Sequence, residues 1–354
     1  MELALYDRHG GFFSSGGGAG RRGDFLTSPE VGTLFGAVLA RALDAWWAEM
    51  GRPDPFVVVE VGAGSGTLAS SILAAGPSCG PALRYVLVER SAALREAQAA
   101  RLALEAPAAV VGPSGPDGDG DMAGGQGVGP LATSLTDLPA QPFVGVVLAN
   151  ELLDNLPFLL LERGKDGWAE VRVGWGGDGV EEVVVPAAPD LADEAARLAP
   201  DAPIGGRLPL QREAGAWLTR ALSVVERGRV VAIDYADASP SLAARPWRDW
   251  VRTYRGHRRG GHPLERPGSQ DVTCEVAVDQ LARVHAVTAD RSQADFLSAH
   301  GIDEFAAAAR AAWLAGAARG DLESLRHKSR IGEVAALLDP SGLGAFRVLE
   351  WTAG

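Results

Sequence analysis

A chain of 354 residues, 47% of them hydrophobic, can bury one large core or two of ordinary size. With 45 acidic against 33 basic residues the net charge is -12, which argues against non-specific nucleic-acid binding. Cys79 and Cys274 are too few for a disulfide framework or a zinc site, and no apolar run reaches membrane-spanning length, so a soluble, cytoplasmic, metal-free protein is the expectation.

Residues 1–26 are glycine-rich and read as an ordered loop held by Leu5, Tyr6, Phe12, Phe13 and Phe25, with a mobile tip at Gly16–Gly18. Thr27 and Glu30 then stand at capping-box spacing, with Pro29 suited to a first helical turn. Val31, Leu34, Phe35, Val38, Leu39, Leu43, Trp46 and Trp47 form a helical stripe ending near Gly51. Capping alone explains the TSPE segment. A functional role would set Gly23–Glu30 beside a ligand at the first strand.

Phe56–Val59 is a β-branched apolar run of the kind found in buried parallel strands. Glu60 follows, then Gly62, Gly64 and Gly66, then a helical pattern from Thr67 through Leu68, Ile72 and Leu73. Strand, glycine turn and helix open a βαβ unit. A dinucleotide fingerprint wants a third glycine where Thr67 stands, which counts against an oxidoreductase. S-adenosylmethionine needs no pyrophosphate cradle, and its ammonium and sulfonium favour a nearby carboxylate such as Glu60. A tight turn that binds nothing is the plain alternative. Tyr85–Glu89 reads as the next strand, and Glu89 stands where a carboxylate can chelate ribose hydroxyls.

A helix is expected over Ser91–Ala106 and a third strand over Ala109–Val111, with a flexible low-complexity insertion at Gly112–Pro130. Val144–Pro157 repeats the strand-then-polar pattern, collecting Asn150, Glu151, Asp154 and Asn155 where ligands bind in open α/β sheets. A capped helix start at Asn150 is the bland reading. Three strands of an antiparallel excursion lie between Phe158 and Pro186, and helices over Ala188–Leu198 and Arg212–Glu226. Gly228–Asp237 is another buried strand, pointing Asp234 and Tyr235 at the same crevice. Trp247–Gly268 concentrates arginines in an acidic chain, as a solvated loop or as a surface for an acidic partner. Asp271–Val276 leads into helical stretches, and Gly344–Trp351 reads as a last strand.

The chain resembles the MidA-like methyltransferases, the family that includes the mitochondrial complex I assembly arginine methyltransferase. The resemblance is carried by GDFLTSPEVGTLFG at Gly23–Gly36, EVGAGSGTL at Glu60–Leu68, ANELLDNLP at Ala149–Pro157, IDYAD at Ile233–Asp237, TYRGHRRGG at Thr253–Gly261 and GLGAFRVL at Gly342–Leu349. It departs where Ala63 and Ser65 replace a Pro-x-Arg turn and where Ala236 replaces a glycine.

The resemblance implies one α/β domain over 1–354: a seven-stranded, Rossmann-like class I methyltransferase sheet with helical and antiparallel β insertions. Within it stand an N-terminal lid at 1–55 and a β-rich insertion at 158–210. It implies S-adenosyl-L-methionine as cofactor and a protein arginine as acceptor. Cofactor contacts fall on Glu60, Gly62, Ala63, Gly64, Gly66, Thr67, Leu68, Glu89 and Arg90, with Gly23, Asp24, Thr27, Ser28, Pro29 and Glu30 closing over them. Asn150, Glu151 and Asp154 belong to the cofactor–acceptor junction, with Asp234 and His257 as further catalytic candidates. A small-molecule or RNA acceptor, or an assembly factor that binds cofactor without catalysis, are the alternatives. Oligomeric state is open, a homodimer included.

Overall fold

The computed structural model describes residues 1–14, 17, 27–112, 126–177, 179–256, 258–316 and 321–354. Gly23, Asp24, Phe25 and His257, and most of the Gly112–Pro130 insertion, lie outside the described residues. In chain order the N-terminal half carries α1 (Glu2–Tyr6), α2 (Ser28–Val31), α3 (Leu34–Glu49), β1 (Phe56–Val61), α4 (Thr67–Ala74), β2 (Leu83–Val88), α5 (Ala92–Arg101), α6 (Pro107–Val111), β3 (Leu131–Leu135) and β4 (Phe143–Asn150). An excursion follows: β5 (Leu159–Arg163), β6 (Trp168–Gly176), β7 (Gly179–Pro186), α7 (Pro189–Leu198) and β8 (Arg207–Leu210). Then come α8 (Arg212–Ser223), β9 (Val225–Asp234), β10 (Ala236–Asp237), α9 (Ser239–Ala244), β11 (Val251–Arg255), β12 (Arg258–Arg259), β13 (Asp271–Cys274) and β14 (Val276–Ala277). The chain closes with α10 (Val278–Val284), β15 (Ala289–Ser292), α11 (Gln293–Ala299), α12 (Ile302–Gly316), α13 (Leu322–Leu337) and β16 (Arg347–Ala353).

The central sheet has the order β15-β16-β9-β4-β1-β2-β3. Strands β3, β2, β1, β4 and β9 are parallel, while β16 and β15 are antiparallel to their neighbours. Every residue of β1 and β2 is buried, because both faces of these strands are covered. One face packs on α3, α4 and the α11–α13 helices through Phe35, Leu39, Trp46, Val58, Ile72 and Phe296. The other packs on α8 and α10 through Val59, Trp217, Leu218 and Leu281. Each such large side chain contributes roughly 1.5–3 kcal/mol by leaving water. The antiparallel sheet β7-β6-β5-β8 wraps a separate small core with α7 around Leu161, Leu191 and Leu208.

Three expectations are corrected. The stretch Ala109–Val111 is not a strand but the end of α6, where Pro107 in the first turn starts a helix, and the third strand is Leu131–Leu135. The capping box does not form: Thr27 makes no side-chain cap, and the Glu30 carboxylate turns instead to Thr67. The arginine-rich segment is not only loop: β11 and β12 pair within it, and β11 also pairs with β13.

Candidate active site

The β1–α4 turn is built by backbone hydrogen bonds to the neighbouring strand. Gly62 N and Ala63 N both donate to Val88 O, at 2.9 and 3.1 Å. Gly62 has φ +73°, and a Cβ there would sit 2.9 Å from Leu152 Cδ1. Gly66, at φ +78°, faces Leu87, Leu102 and Gln98 and packs helix against sheet. Gly64 differs: a Cβ on it would meet nothing within 4 Å, so its backbone borders open space.

Glu89 follows the end of β2. One carboxylate oxygen accepts from Gly64 N at 3.0 Å and the other from Ser91 N at 2.8 Å. Burial raises its pKa above the ordinary value, against the pull of these backbone donors. Each oxygen keeps a further lone pair for a ligand hydroxyl. Glu60 behaves otherwise. It is buried, accepts from Tyr85 Oη at 2.7 Å, and is pushed up by burial to about 8. At neutral pH it is therefore mainly a protonated group rather than a counter-charge.

Helix α2 is tied across this corner. Ser28 N donates to Glu151 Oε1 at 3.2 Å, Ser28 Oγ to Gln293 Oε1 at 3.0 Å, and Thr67 Oγ1 to Glu30 Oε1 at 2.8 Å. Ser28 itself is fully buried and serves as a tether rather than as cavity wall.

The turn after β4 gathers the acidic residues. Glu151 has φ +51°, a costly conformation for a residue with a side chain. Its N–H donates to Ile233 O at 2.8 Å, and Asn150 Nδ2 donates to its Oε1 at 3.3 Å. Burial, and then the charge of Asp154, push Glu151 up to about 8. Asp154 Oδ2 accepts from Tyr235 Oη at 2.5 Å, while its Oδ1 is buried without a partner. Burial lifts Asp154 to about 6 against the Tyr235 hydrogen bond. Asp234 lies in neither cavity described below. Its oxygens accept from Leu153 N, Asp154 N and Tyr235 N at 3.0, 3.2 and 3.0 Å, so it clamps the turn that carries Asp154.

Two cavities meet here. One, of about 190 Å³, is lined by Thr27, Pro29, Glu30, Glu60, Gly62, Ala63, Gly64, Thr67, Leu68, Glu89, Arg90, Asn150 and Glu151 among others. The second, of about 610 Å³, is lined by Glu151, Asp154, Tyr235, Arg252, Asp271 and Phe346 among others. They share Glu151 and Asn155. The sequence reading puts Tyr6 and Phe13 in a loop rather than in the first cavity, puts Arg252 in the arginine-rich segment rather than in the second, and assigns Asp271 and Glu275 to no site. The two acids Asp271 and Glu275, at either end of the uncharged run Val272–Cys274, are the available signal.

The first cavity fits an adenosyl amino acid. Gly64 leaves its backbone bare, Glu89 lines the cavity beside it, and Asn150 Oδ1 in the same lining is a buried acceptor without a partner. A group with a ribose and an ammonium would satisfy those acceptors.

Residues 38–295 match the model of a family described as "Putative S-adenosyl-L-methionine-dependent methyltransferase". The chain is 29% identical over 289 residues to the mitochondrial protein arginine methyltransferase NDUFAF7 homolog of Drosophila melanogaster, covering 78% of this chain and 63% of that one. It is 29% identical over 307 residues to mitochondrial NDUFAF7 of Mus musculus, covering 80% and 65%. The chain thus spans under two thirds of the length of these relatives. A COG1565 superfamily protein from Burkholderia thailandensis, crystallised with S-adenosyl-homocysteine, superposes with a TM-score of 0.80 at 28% identity, covering 99% of this chain and 86% of that one. The cytoplasmic expectation is corrected by these matches, since the curated relatives are mitochondrial proteins. With residues 38–295, most of the chain, matched by the family model, and the same fold over 99% of the chain in the COG1565 protein, the chain belongs to this S-adenosyl-L-methionine-dependent methyltransferase family.

Proposed function

We propose that the protein transfers a methyl group from S-adenosyl-L-methionine to an arginine side chain of a protein. The observation that carries this reading is that both cavities are lined by Glu151, close to Asp154, whose Oδ1 has no partner. The relatives named as protein arginine methyltransferases support it.

In this reading Glu89 and the Gly64 backbone hold the ribose side, and Asn150 meets the amino-acid side. The cofactor supplies an electrophilic methyl group on a sulfonium. The protein's own work lies in the second cavity. Glu151, Asp154 and Asp271 crowd one corner, so repulsion and burial keep part of the set protonated. A guanidinium relieves that repulsion and pairs with carboxylates through paired N–H donors. Its arrival lowers the pKa of Glu151, which then accepts the proton that the acceptor nitrogen must lose. Asp154, steadied by Tyr235 and by the Asp234 clamp, orients the cation.

Transfer of labelled methyl from S-adenosylmethionine to arginine peptides, with calorimetry of cofactor binding, tests this. Glu151→Gln is expected to cut transfer at least about a hundredfold with cofactor affinity kept. Full transfer by that variant would remove Glu151 from the mechanism.

A further inference from the structure

The wall of the second cavity continues into a basic hairpin. Arg252 and Tyr254 of β11 line the cavity, and Arg255 follows directly, paired across the hairpin with Arg258. Arg255 and Arg258 are exposed, and among the described residues neither has an ion-pair partner. Arg252, by contrast, is held by Glu275 at 2.7 Å. Two like charges directly opposite on paired strands are destabilising. Arg248, also exposed, adds a third positive charge nearby, its chain carbonyl accepting from Arg259. Glu151, Asp154, Asp237, Asp271 and Glu275 line the cavity; Arg245 pairs with Asp237 and Glu275 and Arg252 with Glu275, which leaves the acidic character at Glu151, Asp154 and Asp271. A pocket for a cation therefore opens beside an unneutralised positive rim, on a chain of net charge -12.

We propose that the Arg255–Arg258 hairpin docks an acidic stretch of the substrate protein that flanks the acceptor arginine. The proposal rests on the arginine reading above and adds which arginines are chosen. The mixed pattern decides the partner class. A peptide can present a cation to the pocket and carboxylates to the rim. A nucleic-acid strand carries a negative charge at every step and has no cation to offer the Glu151, Asp154 and Asp271 corner of the pocket.

Fluorescence anisotropy with the full chain tests it, using a labelled arginine peptide with Asp/Glu flanks and the same peptide with Ser flanks. The acidic peptide should bind about tenfold more tightly at low salt, and the advantage should shrink as salt rises. Arg255→Glu with Arg258→Glu should abolish the advantage, and the milder Arg255→Ala with Arg258→Ala should reduce it, with the thermal unfolding midpoint not lowered in either. Equal affinity for the two peptides, or a preference that survives the double reversal, overturns the proposal. So does tighter binding of single-stranded RNA of equal charge. Glutamine for arginine in the acidic peptide separates the two readings. Lost affinity supports both. Retained affinity with the hairpin dependence intact leaves the surface standing and refutes the arginine pocket.

Discussion

The main-chain N–H of Ser28 donates to Glu151 Oε1, joining the first turn of α2 to the turn after β4 across 123 positions of sequence. The segment over the first cavity is therefore held by the residue at the boundary of the second. Removing the acceptor should loosen α2. Glu151→Gln keeps a side-chain carbonyl oxygen and should leave cofactor affinity near that of the parent. Glu151→Ala should weaken it about fivefold, the worth of one modest hydrogen bond. Calorimetry on the two variants checks this, and equal affinities would mean that the tether does not govern closure.

The glycine turn separates folding from binding. Gly62→Ala combines a positive φ with a contact on Leu152 and should lower stability by about 1–2 kcal/mol or more. Gly64→Ala meets open space, so its strain is conformational only and its methyl projects where ligand would lie. Unfolding midpoints with and without S-adenosylmethionine should show Gly62→Ala mainly lowering the midpoint, and Gly64→Ala mainly losing the ligand-induced rise.

Glu60 and Glu151 each have a folded-state pKa of about 8, raised by burial from the ordinary 4.5. A carboxyl whose pKa is raised on folding contributes stability that is complete below about pH 4.5 and is lost as pH climbs through 8. Each group gives a slope of at most about -1.4 kcal/mol per pH unit in that window. Glu60→Gln should therefore lose less stability than the parent between pH 6 and pH 8 in denaturant titrations. A steeper loss in the variant would contradict the assigned protonation.

Tyr235→Phe removes the donor to Asp154 and leaves a second buried carboxyl oxygen without a partner. The cost should be about 1–3 kcal/mol in chemical denaturation. The Tyr235 hydrogen bond also lowers the pKa of Asp154, so its loss should move that pKa further above 6. The carboxyl resonance followed by NMR across pH reads that shift, and an unmoved or lowered value would refute the contact.

Much of the central sheet is legible in the residues. The runs Phe56–Val59, Tyr85–Val88 and Val144–Ala149 are apolar on both alternations, which only a strand covered on both faces requires. Polar residues at the ends of those runs mark the ligand edge, and Gly62, Glu89 and Glu151 all line the first cavity. The third strand was not legible. Ala109–Val111 is the apolar segment of the two, whereas Leu131–Leu135 carries Thr133 and Ser134, so β-propensity alone points to the wrong one.

Local pattern thus determined which strands are buried and which ends are polar, because both are properties of neighbouring residues. It could not determine what each acid does. Asp234 and Asp154 look alike in sequence, yet one is consumed by three backbone N–H groups and the other keeps an oxygen unpaired. Glu60 and Glu89 both follow an apolar run in the sequence, yet burial pushes one up to about 8 against the Tyr85 hydrogen bond, while two backbone N–H groups engage the other. Partners distant in the chain decide between a clamp, a buried acid and a ligand contact, and only folding brings those partners within hydrogen-bonding range.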